Sequence, residues 1–194
     1  MKLKMMIGIG CLAACVVCPT AFAQDEYAPF EMFAGYNLVR SAVYGGTCPL
    51  DRVFCDTVMG NMNGWNIALA GNINSIIGIK GEISGAFYST GNDIAKLSDY
   101  SFMAGPQANW RIKAFPGTLF GHSLFGARTR RAILDGSNVD YNRFEIACGG
   151  GVDWGKGRVG MRAPQIDYFP RRNRGIVPFY NYRISTGIVL RFGS

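Results

Sequence analysis

The sequence predicts an all-β fold, an eight-stranded antiparallel up-and-down transmembrane β-barrel. Three observations predict it. Apolar and polar residues alternate with a period of two in segment after segment, the pattern of a pleated strand whose side chains point to opposite faces. The connections between these segments alternate between long and short, as expected where one barrel rim carries tight turns and the other carries loops. The polar faces also hold charges of both signs, which are tolerable when paired in a lumen and costly against lipid.

The chain opens with Lys2 and Lys4, an apolar run from Met5 to Cys18, and small residues at Ala21 and Ala23. That order reads as a secretory signal peptide over residues 1–23, because the apolar run falls short of the about 20 residues a membrane-crossing helix needs. Leu12-Ala13-Ala14-Cys15 resembles a lipoprotein box, so processing at Cys15 stands as the alternative to cleavage after Ala23. Cleavage after Ala23 leaves residues 24–194 as one outer-membrane barrel domain. It removes Cys11, Cys15 and Cys18, leaving Cys48, Cys55 and Cys148. In an oxidising compartment the close pair Cys48 and Cys55 is the expected disulfide, with Cys148 outside it.

The strands follow in order. The first, near Phe30 to Arg40, sets Phe30, Met32, Ala34, Tyr36 and Leu38 on one face. The second, Asn63 to Asn72, alternates Trp65, Ile67 and Leu69 with Asn66, Ala68 and Asn72. In the third, Ile76 to Tyr88, Ile77, Ile79, Ile83 and Phe87 oppose Lys80, Glu82 and Ser84. The fourth places Tyr100, Phe102, Ala104, Ala108, Trp110 and Ile112 against Ser101, Gln107, Asn109 and Arg111. The fifth, Thr118 to Arg128, is ambiguous in phase, with His122 as its polar marker. The sixth alternates Phe144, Ile146, Cys148, Val152 and Trp154 with Glu145, Ala147 and Asp153. The seventh sets Val159, Met161 and Ala163 against Arg158 and Arg162; Pro164 interrupts it, and a bulge there returns Gln165 and Asp167 to the face of Arg162. The eighth runs from Tyr180 to Phe192, with Arg183 and Arg191 opposite its apolar face. Long connections are expected near residues 41–62, 89–99, 129–142 and 170–178, short ones at 73–75, 113–117 and 155–157.

A barrel of this strand number is just wide enough for side chains to fill it. The polar parities supply the filling: Glu31, Glu82, Glu145, Asp153 and Asp167 against Lys80, Arg111, Arg162, Arg183 and Arg191. A lumen plugged by salt bridges is therefore expected. Gly149, Gly150 and Gly151 leave room for long neighbouring side chains. Aromatic residues near strand ends suit interfacial girdles.

The chemistry of function classes is narrow. The formal charge of +7 falls to +5 when Lys2 and Lys4 are removed, a mildly basic balance with no nucleic-acid-binding motif, so anionic lipid is the natural acidic partner. Catalysis needs a nucleophile within reach of a base, and the single His122 points to the opposite face from its neighbour Ser123. Ser84, Ser101 and Ser185 are the serines that could meet it across a barrel. No cofactor is expected, and one His with two disulfide-bonded cysteines makes no metal ligand set. Arg128, Arg130 and Arg131 on the third long loop, and Arg171, Arg172 and Arg174 on the fourth, are candidates for lipopolysaccharide phosphate contact.

The segments "GWNIALAGNIN" from Gly64, "FMAGPQANWR" from Phe102, "LFGHSLFGARTR" from Leu119, "FEIACGGGVDW" from Phe144, "RAPQIDY" from Arg162 and "NYRISTGIVLRFG" from Asn181 carry a resemblance. The chain resembles the small eight-stranded outer-membrane β-barrel family typified by the outer-membrane protein A transmembrane domain, and more narrowly the porin-like barrel proteins of Acidobacteria and similar bacteria. The resemblance implies a Gram-negative outer-membrane location and assembly by the outer-membrane machinery, and it implies no substrate. The expected role is structural or surface-interacting and non-catalytic, with lipid, lipopolysaccharide and an extracellular partner at the long loops. A small porin-like channel is the second reading and a lipid A-modifying barrel enzyme the third.

Overall fold

The structure, a computed structural model, describes residues 27–44, 57–89, 95–112, 115–134, 137–155, 157–170 and 181–193. Eight strands form one closed antiparallel barrel in sequence order. They are β1 (Phe30–Tyr44), β2 (Thr57–Asn72), β3 (Ile77–Ser89), β4 (Ala95–Arg111), β5 (Gly117–Leu134), β6 (Ser137–Trp154), β7 (Val159–Tyr168) and β8 (Tyr182–Phe192). Closure comes from β1 pairing with β8, from Phe30 opposite Phe192 to Arg40 opposite Tyr182. Full closure leaves no open sheet edge in the shared part of the wall.

The polarity of the two faces is inverted relative to a soluble sandwich. Phe144 is 70% exposed on the outside and Phe30 65%, while Lys80 and Asp167 inside are 0% exposed and Arg183 1%. Tyr100 near one rim and Trp110 near the other stand ten residues apart on β4. On a strand tilted by about 40–45°, that spacing spans about 24 Å of height, close to the about 25 Å apolar band of outer-membrane barrels.

Sequence reading and structure differ most at the rim expected to carry long loops. There β1, β2, β4, β5 and β6 all run past the expected ends, and the third connection is no long loop, because β5 and β6 pair up to Leu134 opposite Ser137. The expected boundaries lie where apolar alternation stops. Above an apolar belt water wets both faces, so alternation ends although the hydrogen-bond ladder continues. The opposite rim is as expected, with only short gaps in sequence between Asn72 and Ile77, Arg111 and Gly117, and Trp154 and Val159. Asn74 shapes the first of these: its Oδ1 accepts from the amides of Ile76 and Ile77 at 2.8 and 2.7 Å.

The bulge expected at Pro164 is present. The register shifts between Arg162 and Gln165 against β8, and between Gly151 and Asp153 against β6. Arg162, Gln165 and Asp167 consequently all lie buried on the lumenal side. Two carbonyls loosened by the bulge regain donors: Trp154 Nε1 donates to Ala163 O at 2.7 Å, and Thr186 Oγ1 to Arg162 O at 3.1 Å.

Candidate functional site

The lumen is the candidate site, and its side chains form three levels between the short-turn rim and the tall rim. The lowest level is built where β6 meets β7. Asp153 faces Arg162 directly across the ladder, and the guanidinium grips the carboxylate with two bonds, Nε to Oδ1 at 2.7 Å and Nη2 to Oδ2 at 2.8 Å. Arg162 is also framed by aromatic rings, its Cζ 4.1 Å from the Phe120 centroid and 4.7 Å from that of Phe33. Beside it Glu31 lies 3.9 Å from Arg111 and 3.8 Å from Arg191. Arg191 also holds the 155–158 turn, donating from Nη1 to Gly155 O at 2.8 Å and Gly157 O at 3.0 Å. Arg111 donates to Ser75 O in the 73–76 turn.

The central level crosses the barrel. Arg183 on β8 faces Asp167 on β7 and donates to it through Nε at 2.9 Å and Nη2 at 2.6 Å, while the same Nη2 reaches Glu82 on β3. Lys80 pairs with Glu82 at 3.0 Å and donates to Gln165 at 3.3 Å. His122 lies between these groups, its Nε2 2.7 Å from Asp167 Oδ1 and its Nδ1 3.5 Å from Lys80 Nζ. Gly149 makes the His122–Asp167 contact possible. It separates the two residues in the sheet, opposite His122 on one side and Asp167 on the other, and a β-carbon there would collide with the Asp167 carboxylate.

The upper level joins β4, β5 and β6. Asp99 accepts from Arg128 Nε at 2.6 Å and from Arg130 Nη2 at 2.7 Å. Arg128 also donates to both oxygens of Glu145, at 2.9 and 3.0 Å, and Arg143 reaches Glu145 at 3.1 Å. Arg130 Nη2 extends across to Ser41 Oγ on β1 at 3.0 Å. The Phe169 ring separates the upper and central levels, with Arg128 and Arg183 each 5.5 Å from its centroid.

All ten charged residues expected in the lumen are found on its inner face, buried except for the partly exposed Arg111. Asp99, Arg128 and Arg130 are additions. The placement of Arg128 and Arg130 on a lipid-contacting loop is corrected: both are buried in the lumen on β5, held by Asp99. Arg131, one residue along, faces outward and pairs with Asp140, the two side chains 60% and 49% exposed. Parity holds the missed signal, since Asp99 shares the face of Ser101 and Gln107, and Arg128 and Arg130 share the face of His122. Cys48, Cys55, Arg171, Arg172, Arg174 and the leader over residues 1–23 lie outside the described residues.

The serines do not assemble with His122 into a nucleophile and base. Ser84 Oγ lies 2.7 Å from Ser101 Oγ and accepts from Arg183 at 2.9 Å, and Ser185 Oγ accepts from Asn66. Ser123 faces outward, 3.7 Å from the Cys148 sulfur. Among the described residues no cluster of three or more His, Cys, Asp or Glu could hold a metal ion.

No family model matches the chain, and no curated protein matches it. Solved structures do. Neisserial surface protein A superimposes with a TM-score of 0.63 at 12% identity, over 87% of this chain and 100% of that one. The attachment invasion locus protein Ail of Yersinia pestis gives 0.57 at 17% identity, over 86% and 100%. The N-terminal β-barrel domain of Pseudomonas aeruginosa OprF gives 0.55 at 8% identity, over 86% and 100%. The architecture is thus that of the small eight-stranded outer-membrane barrels.

Proposed function

We propose that the protein is a Gram-negative outer-membrane barrel, exported by a signal peptide over residues 1–23 that is then cleaved, with a structural or surface-interaction role, a lumen closed by salt bridges, and no catalysis. The observation that carries this reading is the inverted polarity: large apolar side chains such as Phe30, Leu69, Ile79, Phe102 and Ile188 cover the outside, while Lys80, Glu82, Asp167 and Arg183 are sealed within. Only a hydrocarbon surrounding favours that arrangement. Closure of the lumen is supported by the three stacked levels, because a permeating ion would have to part paired charges at each one.

Two measurements test the reading. Unboiled and boiled detergent samples run on a gel should migrate differently, since a closed barrel resists detergent until heated; identical migration would defeat the membrane barrel. The refolded protein in a planar bilayer should give no steady conductance, and reproducible open levels would defeat the plug.

The outer rim is proposed to contact polyanions, above all lipopolysaccharide phosphates. Arg171, Arg172 and Arg174 supply the charge, joined by the outward Arg131. Among the similar folds, Ail of Yersinia pestis has been solved in complex with the heparin analogue sucrose octasulfate, which supports a polyanion reading. Replacing Arg171, Arg172 and Arg174 together with serine should weaken binding to lipopolysaccharide micelles; unchanged binding would remove this part. The Cys48–Cys55 disulfide is proposed to staple the 45–56 connection, which thiol alkylation before and after reduction would test.

A further inference from the structure

The short-turn rim carries more positive charge than its carboxylates neutralise. Arg191 has a charged residue on either side of it in the sheet. Glu31 faces it on β1, and on the β7 side the register from Val159 opposite Leu190 continues to Arg158, whose carbonyl accepts from the Arg191 amide at 2.8 Å. Side chains directly opposite in an antiparallel ladder have β-carbons about 4.5–5.5 Å apart, and like charges so placed repel. Arg158 and Arg191 are such a pair. Among the described residues the lower level therefore sets four arginines, Arg111, Arg158, Arg162 and Arg191, against two carboxylates, Glu31 and Asp153, an excess of two positive charges.

Both carboxylates are already engaged. Asp153 gives its two oxygens to Arg162. Glu31 is shared between Arg111 and Arg191 at 3.9 and 3.8 Å, beyond direct hydrogen-bond range. Arg191 is 8% exposed, and while its Nη1 holds two turn carbonyls, its Nη2 finds no hydrogen-bond partner among the described residues. A buried charged donor without an acceptor is costly. The guanidinium lies over Gly160, where a β-carbon would come within 2.9 Å of Nη1 and 3.3 Å of Nη2, so the absence of a side chain there keeps the space beside it clear. Arg158 is exposed at the mouth.

We propose that this mouth is a phosphate-binding site, one phosphate group being held between Arg158 and the Nη2 of Arg191. The charge selects the ligand: phosphate carries about −1.5 to −2 at neutral pH and cancels the excess, whereas a carboxylate would cancel half of it. Its oxygens also match the planar donor fork of a guanidinium. The same oxyanion occurs as free phosphate and in phospholipid headgroups. The site lies at the opposite rim from the polyanion contact proposed above and stands without it.

Protein refolded in dodecyl maltoside micelles, which contain no phosphate, is titrated at constant ionic strength with inorganic phosphate and separately with dihexanoyl phosphatidylglycerol, while NMR follows the amides of Gly157, Arg158, Gly160 and Arg191. Phosphate should shift these amides saturably, and chloride should not. Arg158→Ser, at an exposed position, should keep the heat-dependent gel shift and raise the half-saturating phosphate concentration about tenfold. Arg158→Lys keeps the charge without the fork and should raise it less. The lipid saturating these amides at a lower concentration than inorganic phosphate assigns the site to headgroups, and any other order assigns it to free phosphate.

Chloride moving the amides as far as phosphate would reduce the mouth to a screened patch of charge and overturn the proposal. An absence of saturable shifts would also overturn it, as would an unchanged half-saturation in Arg158→Ser. A lost gel shift in the unaltered protein would instead strike the barrel reading, so the two fail separately.

Discussion

Arginine–carboxylate pairs occur in two settings in this molecule, and the contrast shows how surroundings set their worth. At the centre Arg183 is 1% exposed and holds Asp167 and Glu82, both buried, across the closed barrel. At the tall rim Arg131 holds Asp140 with side chains 60% and 49% exposed. The bonds are similar in kind, 2.6 Å between Arg183 Nη2 and Asp167 and 3.0 Å between Arg131 Nε and Asp140. In the lumen no water can replace a lost partner, so each group depends on the others. At the rim water and salt compete with the pair at all times.

The contrast is sharpened by removing one partner at a time and measuring urea midpoints of the barrel refolded in lipid vesicles. The largest effect is expected from Arg183→Ala, which takes the cation shared by two fully buried carboxylates, leaving Glu82 to Lys80 and Asp167 to His122 and Gln165, and should lower stability by about 3–5 kcal/mol. A loss below about 1 kcal/mol would mean that water already fills the central level.

Arg128→Leu comes next. Asp99 keeps Arg130 and Glu145 keeps Arg143, so the expected loss is about 2–3 kcal/mol. A loss as large as that of Arg183→Ala would erase the distinction between levels.

Trp154→Phe removes the indole donor to the Ala163 carbonyl at the bulge and trims the ring that packs against Phe115, and about 1 kcal/mol is expected. Arg131→Ala should leave the midpoint unchanged at low and high salt. A clear drop at low salt that vanishes at high salt would show the rim pair to be stabilising after all.

The strand count, the facing of β1 to β4 and of β8, and the bulge at Pro164 were all legible, because a belt between lipid and lumen forces a period of two. The phase of β5 was not. Phe120 and Leu124 are apolar yet lumenal, packed with Arg162 and with the Met103, Ala147 and Phe169 cluster, so alternation there is masked. The same ambiguity hid Arg128 and Arg130, whose clustering with Arg131 resembles a solvated loop. Asp99 was not legible, because aromatic alternation in the fourth strand starts only after it, at Tyr100.

The sequence by itself determined the class of fold, the number of crossings, which strand faces are apolar and most of the lumenal charges, since each depends on residues one or two positions apart. Tertiary structure alone decided the partners: that Glu82 meets Arg183 from across the barrel, that His122 reaches Asp167 over the gap left by Gly149, and that β6 outruns β7. Those facts depend on how the register staggers as the sheet closes, a property of the whole ring that local alternation does not encode.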